Sequence, residues 1–222
     1  MAQVWIVVEP DAVADVAVAA LKQAIAQCPT GSTSDTVRVV APADLPPVIA
    51  LEDILCPLTL ALPEALAFPG ASVFRACADV DGLRQAVADC FGTKTGDGSL
   101  WLPIALTAKG PLYGEAIALT AHTPEQYRQP HHLSDRQRQP LYALALRLLD
   151  WLHAPPSVYL LQVALSDEGV VFDRLWPYPA AGAIASLTAQ TPDLFTAHWL
   201  CLSHQPLLDL NIPGIPTPSG FE

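Results

Sequence analysis

The chain has 222 residues, of which 51% are hydrophobic and only 15% charged, and its 11 Lys and Arg stand against 22 Asp and Glu for a formal net charge of −11. That length allows one large domain or two small ones, with a core that needs no staples. The acidic balance excludes nucleic-acid binding by phosphate neutralisation, since the basic residues are scattered apart from the short group Arg128, Arg136 and Arg138.

No apolar run approaches the roughly 20 residues of a membrane helix, and "MAQVWIVVEP" lacks the basic start of a signal peptide, so a cytoplasmic protein without a membrane span is expected. Cys28, Cys56, Cys77, Cys90 and Cys201 are odd in number and dispersed among apolar neighbours, the pattern of reduced core thiols. Sparse charge with a high apolar fraction points to a protein partner or a homo-oligomer.

In chain order, Val4–Val8 reads as a strand and 11–28 as a helix with an apolar face at Val13, Ala17, Leu21, Ala24 and Cys28. Thr36–Val40 is a second strand. The proline-rich stretch 41–70 reads as a connection with short helices around "ALEDILC" and "LPEALA". "ASVFRAC" reads as a short strand, and "DVDGLRQAVADCF" as a helix capped by Asp79 or Asp81. "GTKTGDGS" is a turn-rich connection. Strands follow at 100–108 and 114–121, joined by Lys109-Gly110-Pro111. "HTPEQYRQPHHLS" is expected as a loop, leading to a helix that starts at Ser134 or near Gln139, with Pro140 in its first turn, and ends by His153. Tyr159–Ser166 and Val170–Trp176 form a hairpin across Asp167-Glu168-Gly169. The last helix opens at "TPDLF" with Thr191 as cap, and 211–222 is a Pro/Gly tail. The order implies an α+β fold: a short α/β segment over 1–70, then an α+β unit over 71–210.

The hairpin is rich in Val and Leu, yet Gln162 interrupts its first strand, and Asp173 and Arg174 lie near the end of its second. Its turn glycine is Gly169, and Pro177, Pro179 and Ala180-Ala181-Gly182 follow it. Gln190, Phe195 and His198 come next, and Pro206-Leu207 closes the stretch. In order and spacing, residues 141–207 resemble the C-terminal part of an ATP-grasp enzyme, in particular the ATPase subunit of phosphoribosylaminoimidazole carboxylase. There the strands carry V-E-x-F and N-E-x-x-P-R-x-H-N-S-G-H. The resemblance implies an antiparallel sheet with packed helices, and 71–121 falls where that family holds adenine. The first 70 residues look too short for the family's N-terminal substrate domain.

The departures matter more than the matches. The family's two acidic residues hold the magnesium ions that bridge the ATP phosphates. The matching positions here are Gln162 and Arg174, and Asp173 stands for the adjacent asparagine. Magnesium needs anionic oxygen ligands, and a guanidinium repels it. On strict strand alternation Asp173 points away from Arg174 and cannot substitute. The family's Gly-rich phosphate cover is not found, and only Arg75 stands near its nucleotide-binding lysine. The expectation is therefore a non-catalytic, ATP-grasp-derived protein with no cofactor and no metal, acting as a binding, assembly or regulatory partner. Gln162, Asp173 and Arg174 would form a relic site able to accept a small anionic ligand. The alternative is an ATP-dependent carboxylate–amine ligase with a relocated metal site. A third possibility is an unrelated α+β domain. Gln162 and Arg174 also have a plainer reading, as polar residues on an open sheet face.

Other motifs carry less. His198, Cys201 and His204 share a helix but drift around it, so a structural role outweighs zinc binding. His131 and His132 read as polar loop residues. "GTKTGDGS" runs from helix to strand, the reverse of a phosphate loop. Trp101, Trp151, Trp176, Trp199, Tyr159 and Tyr178 are expected in the core.

Overall fold

The computed structural model describes residues 3–9, 12–29, 36–122 and 125–213. The first unit is a parallel three-stranded sheet of order β2-β1-β3, from β1 (Gln3–Val7), β2 (Thr36–Val40) and β3 (Ile54–Pro57), with helix α1 (Ala12–Gln27) between the first two. Apolar spacing explains α1: Ala17, Leu21, Ala24 and Ile25 are all buried. β3 corrects the sequence reading, which placed a short helix there. Leu55, Cys56 and Pro57 are buried in succession, as in a strand covered on both faces, and β1 supplies its partner. "LPEALA" is not helical either, and the one helical turn of this stretch is Pro42–Asp44.

The second unit is a mixed seven-stranded sheet of order β4-β10-β9-β5-β7-β8, with β6 paired to β5. Its strands are β4 (Lys94–Thr95), β5 (Leu100–Thr107), β6 (Gly110–Tyr113), β7 (Ala116–His122), β8 (Glu125–His131), β9 (Ser157–Ser166) and β10 (Gly169–Trp176). As expected, the β9–β10 hairpin pairs antiparallel and shares a sheet with the strands at 100–107 and 116–122. Four local expectations change. "ASVFRAC" is helix α2 (Ala71–Ala78), burying Ala71, Val73, Phe74 and Cys77 at helical rather than alternating spacing. "GTKTGDGS" contributes β4, which pairs parallel with β10. Lys109-Gly110-Pro111 is not a bare turn, because Gly110 and Pro111 already belong to β6. The stretch read as a loop before α4 holds β8, an edge strand that tolerates Pro130 because one side of it has no neighbour.

Alternation sorts the core. On one face Leu100, Leu102, Ile104, Tyr159, Leu161 and Val163 pack with α2, α3 (Val80–Phe91) and α4 (Asp135–Trp151). On the other, Trp101, Ala105, Val158 and Leu160 meet Leu194, Phe195 and Ala197 of α6 (Leu194–Leu202), and Ala17 of α1 joins the same cluster. Trp199 of α6 packs with Val4, Ile6 and Leu21, so α6 ties the two sheets together. The caps also resolve. Asp79 caps α3 through the Gly82 N–H at 3.0 Å, and Gln137 accepts from the Ser134 N–H at 2.9 Å at the start of α4. Because α4 begins at Asp135, Pro140 lies beyond its first turn. Asp193, not Thr191, caps α6, accepting from the Phe195 and Thr196 N–H groups, while Thr191 bridges to Asn211. Trp151 is 44% exposed and Trp176 only partly buried, whereas Trp101 and Trp199 lie in the core as expected. Of the tail 211–222, residues 214–222 lie outside the described residues. No helix among the described residues is long and apolar enough to cross a membrane.

Candidate functional site

Gln162 lies on the even face of β9, opposite Trp101 of β5 and opposite Arg174 of β10 in the antiparallel register. Between Phe172 and Arg174 the register slips by one residue, so Asp173 is the extra residue of a bulge. Strict alternation would send Asp173 away from Arg174. The bulge instead brings its carboxylate to 3.2 Å from Arg174 Nε, which corrects the sequence reading.

Asp173 is 3% exposed and its carboxylate is saturated. Oδ1 accepts from Arg84 Nη2 at 2.5 Å and from Arg174 Nε, and Oδ2 accepts from the Gly98 N–H at 2.9 Å and from Gln162 Nε2 at 2.9 Å. Arg84 Nε also donates to the Asp173 carbonyl at 3.0 Å, and the same Nη2 that meets Asp173 reaches Oδ1 of the exposed Asp97 at 3.0 Å. These two carboxylates hold the Arg84 guanidinium above its ordinary pKa, the bond to Asp173 contributing most. Gln162 is committed as well: Nε2 donates to the Gly98 carbonyl at 2.7 Å, and Oε1 accepts from Trp176 Nε1 at 2.8 Å. Gly98 fits because a Cβ there would overlap the Val163 backbone. Segment 96–98 is thereby clamped onto the hairpin over the positions that the resemblance assigns to metal ligands.

Of the three, Gln162 and Arg174 line an open space, and only Arg174 brings a charge to it. Its guanidinium carbon lies 5.4 Å from the Trp176 ring centroid, and its Nη groups hold no hydrogen bond among the described residues. It lines a pocket of 440 Å³ whose opposite side comes from the first unit: Val8 and Glu9 after β1, Ala17 of α1, and Leu58 and Thr59 after β3. A cleft at the carboxyl ends of parallel strands is where open α/β sheets place ligands. Trp101, Tyr127, Trp176 and Tyr178 supply aromatic walls. Thr59 Oγ1 donates to Glu9 Oε2 at 3.0 Å, and the Tyr127 hydroxyl donates to Glu125 Oε2 at 2.5 Å. Burial, and then that bond, push the Tyr127 hydroxyl pKa up.

The sequence singled out Gln162, Asp173 and Arg174, and the structure brings them together. Arg84, Gly98, Glu9 and Glu125 were missed. Arg84 reads as an ordinary helix-surface residue, and Glu9 and Glu125 meet only through folding. Arg75 lies apart, donating to the Glu64 carbonyl at 3.4 Å. His198 is 1% exposed, and its Nδ1 accepts from the Val158 N–H at 3.3 Å with Ser157 Oγ at 3.2 Å. Burial lowers its pKa to about 3. Its Nε2 is buried without a hydrogen-bond partner. Among the described residues no group of three His, Cys, Asp or Glu gathers where it could hold a metal ion.

The fold is that of ATP-grasp proteins. N5-carboxyaminoimidazole synthetase from Staphylococcus aureus complexed with ADP matches with a TM-score of 0.71 at 9% identity, over 95% of this chain and 80% of that one. Glycinamide-RNase-transformylase T from Mycobacterium tuberculosis matches with a TM-score of 0.67 at 16% identity, over 92% and 80%. L-amino acid ligase from Bacillus licheniformis matches with a TM-score of 0.64 at 9% identity, over 91% and 74%. The likeness reaches well beyond the third of the chain where the sequence resemblance lay. No protein-family model matches the sequence, and no curated protein does.

At the hairpin positions that the resemblance matches to magnesium ligands, the residues present do not fit a hard cation. A hard cation at the hairpin would need free anionic oxygens, but both oxygens of Asp173 are spent on guanidinium, amide and backbone donors. Gln162 is likewise fully engaged, and Arg174 adds a positive charge.

Proposed function

We propose that this chain is a non-catalytic protein built on the ATP-grasp fold, which acts by binding as an assembly or regulatory partner. The relic site at Gln162, Asp173 and Arg174 is structural on its Asp173 side. On its Arg174 side it accepts a negatively charged group directly, without metal. The saturated Asp173 carboxylate carries this reading. A residue that must chelate magnesium during turnover keeps lone pairs available, whereas Asp173 is committed to Arg84, Arg174, Gln162 and Gly98. Arg174 supports the second half, because its exposed edge offers the fork geometry that suits carboxylates.

A partner or second copy is part of the same reading. Val48 is 79% exposed and Leu51 wholly so, on the connection before β3. Leaving these side chains in water forgoes roughly 1.5–3 kcal/mol each that burial would supply. The test has two arms. Phosphate release from ATP is expected at the level of buffer alone, and sedimentation is expected to give a species larger than the 23.7 kDa chain or a complex with a partner recovered with it. Sustained ATP turnover would refute the non-catalytic assignment, and a lone monomer would refute the assembly role.

A further inference from the structure

Three side chains that line the 440 Å³ pocket are formally charged: Arg174, Glu9 and Glu125. Tyr127 and Tyr178 line it as neutral phenols, since burial pushes both hydroxyl pKa values up. A polyphosphate, or any ligand bearing only negative charge, would gain one guanidinium and meet two carboxylates. A ligand bearing only positive charge would meet Arg174. Full complementarity belongs to a molecule that carries both signs.

The two carboxylates are held rather than loose. Thr59 Oγ1 fixes Glu9 and the Tyr127 hydroxyl fixes Glu125, each through Oε2. Among the described residues the two Oε1 atoms hold no hydrogen bond, so each side chain keeps an acceptor. Arg174 is fixed at Nε by Asp173 and stacked on Trp176, which leaves its Nη edge as donor. Gln162 and Thr59 are the other polar side chains of the lining, and the rest is largely aromatic and aliphatic. Trp101 meets Tyr127 edge-on at 5.3 Å and Trp176 meets Tyr178 at 6.0 Å, with Val8 and Leu58 beside them. The volume is at the small end of ligand pockets, which run to roughly 1,000 Å³.

Building on the metal-free reading above, we infer that this pocket takes a zwitterionic α-amino acid with an apolar or aromatic side chain. Its carboxylate lies on Arg174, its ammonium on Glu9 and Glu125, and its side chain among the tryptophans and tyrosines. This refines the small anionic ligand anticipated from sequence: the anion is one end of an amphoteric molecule.

The test is calorimetric titration of the unmodified protein with the twenty L-amino acids, followed by the single-charge analogues of the best binder. For phenylalanine these are 3-phenylpropanoate and phenethylamine. At least one apolar or aromatic amino acid is expected to bind, with each analogue weaker by roughly tenfold or more, the worth of one charge-assisted contact. Glu9→Gln with Glu125→Gln should bring the amino acid down to the level of its deaminated analogue, and Arg174→Met to the level of its decarboxylated one. The analogue comparison needs no variant, so a folding defect in either leaves the inference exposed to refutation. Binding by no amino acid, or equal binding by 3-phenylpropanoate, overturns it. Failure of the underlying reading is a separate outcome: it would show as magnesium-dependent binding of ATP in a parallel titration.

Discussion

Arg84 of α3 and Asp173 of the β10 bulge, 89 residues apart in sequence, meet at 2.5 Å. This contact explains why a buried carboxylate is tolerated at the bulge. Desolvating Asp173 is offset by two guanidiniums, an amide and a backbone N–H. It also ties a helix that reads as a surface element to the hairpin on which the site is built.

Arg84→Met leaves Asp173 with a buried oxygen short of its strongest partner. The expected loss is about 2–3 kcal/mol in chemical denaturation, reduced from the figure for a fully buried pair because the Arg84 side chain is 22% exposed. Asp173→Asn with Arg84→Met should cost less than the sum of the single changes. Additive losses would show that the two side chains are not coupled.

Gly98→Ala is expected to destabilise by about 2 kcal/mol, because the new methyl collides with the Val163 backbone and pulls the Gly98 N–H from Asp173. Thermal denaturation checks this, and an unchanged melting temperature would place segment 96–98 elsewhere.

His198 makes stability pH-dependent. Its pKa falls from an ordinary 6.5 to about 3 because burial disfavours the imidazolium. Between these values the unfolded chain binds a proton that the native state refuses, so stability is full above about pH 6.5 and erodes as pH falls towards 3. The erosion is on the order of a few kcal/mol between pH 6.5 and 4. Urea midpoints for wild type and His198→Gln, each scaled to its own value at pH 7, should diverge over that window, the variant being flatter. Parallel curves would mean that His198 does not titrate as described.

Elements whose signal is local were readable from sequence. The β9–β10 hairpin shows alternating apolar residues around Gly169, and α1, α3 and α4 show helical stripes. Elements stabilised from outside were not. β3 lies in a proline-rich stretch and becomes a strand only beside β1, while β8 is a polar edge strand with little apolar pattern of its own. α2 was misread because "ASVF" within eight residues suits either period. Gln162, Asp173 and Arg174 stood out as polar residues in an apolar hairpin. The bulge that redirects Asp173, and the arrival of Arg84, Glu9 and Glu125, depend on tertiary packing that no local window contains.

Carboxylates placed at positions 162 and 174 should confer metal affinity. In Gln162→Glu with Arg174→Glu, two new acidic groups adjoin Asp173, so magnesium should raise the melting temperature of the variant and leave wild type unchanged. Equal responses would separate the hairpin from any metal site in its ancestry.

The most direct measurement is titration calorimetry of wild-type protein with ATP, with and without magnesium. The predicted result is no magnesium-dependent binding, because the positions that would chelate the ion carry a saturated carboxylate, a committed amide and a guanidinium. Micromolar binding that requires magnesium would contradict the non-catalytic account and favour an active ligase.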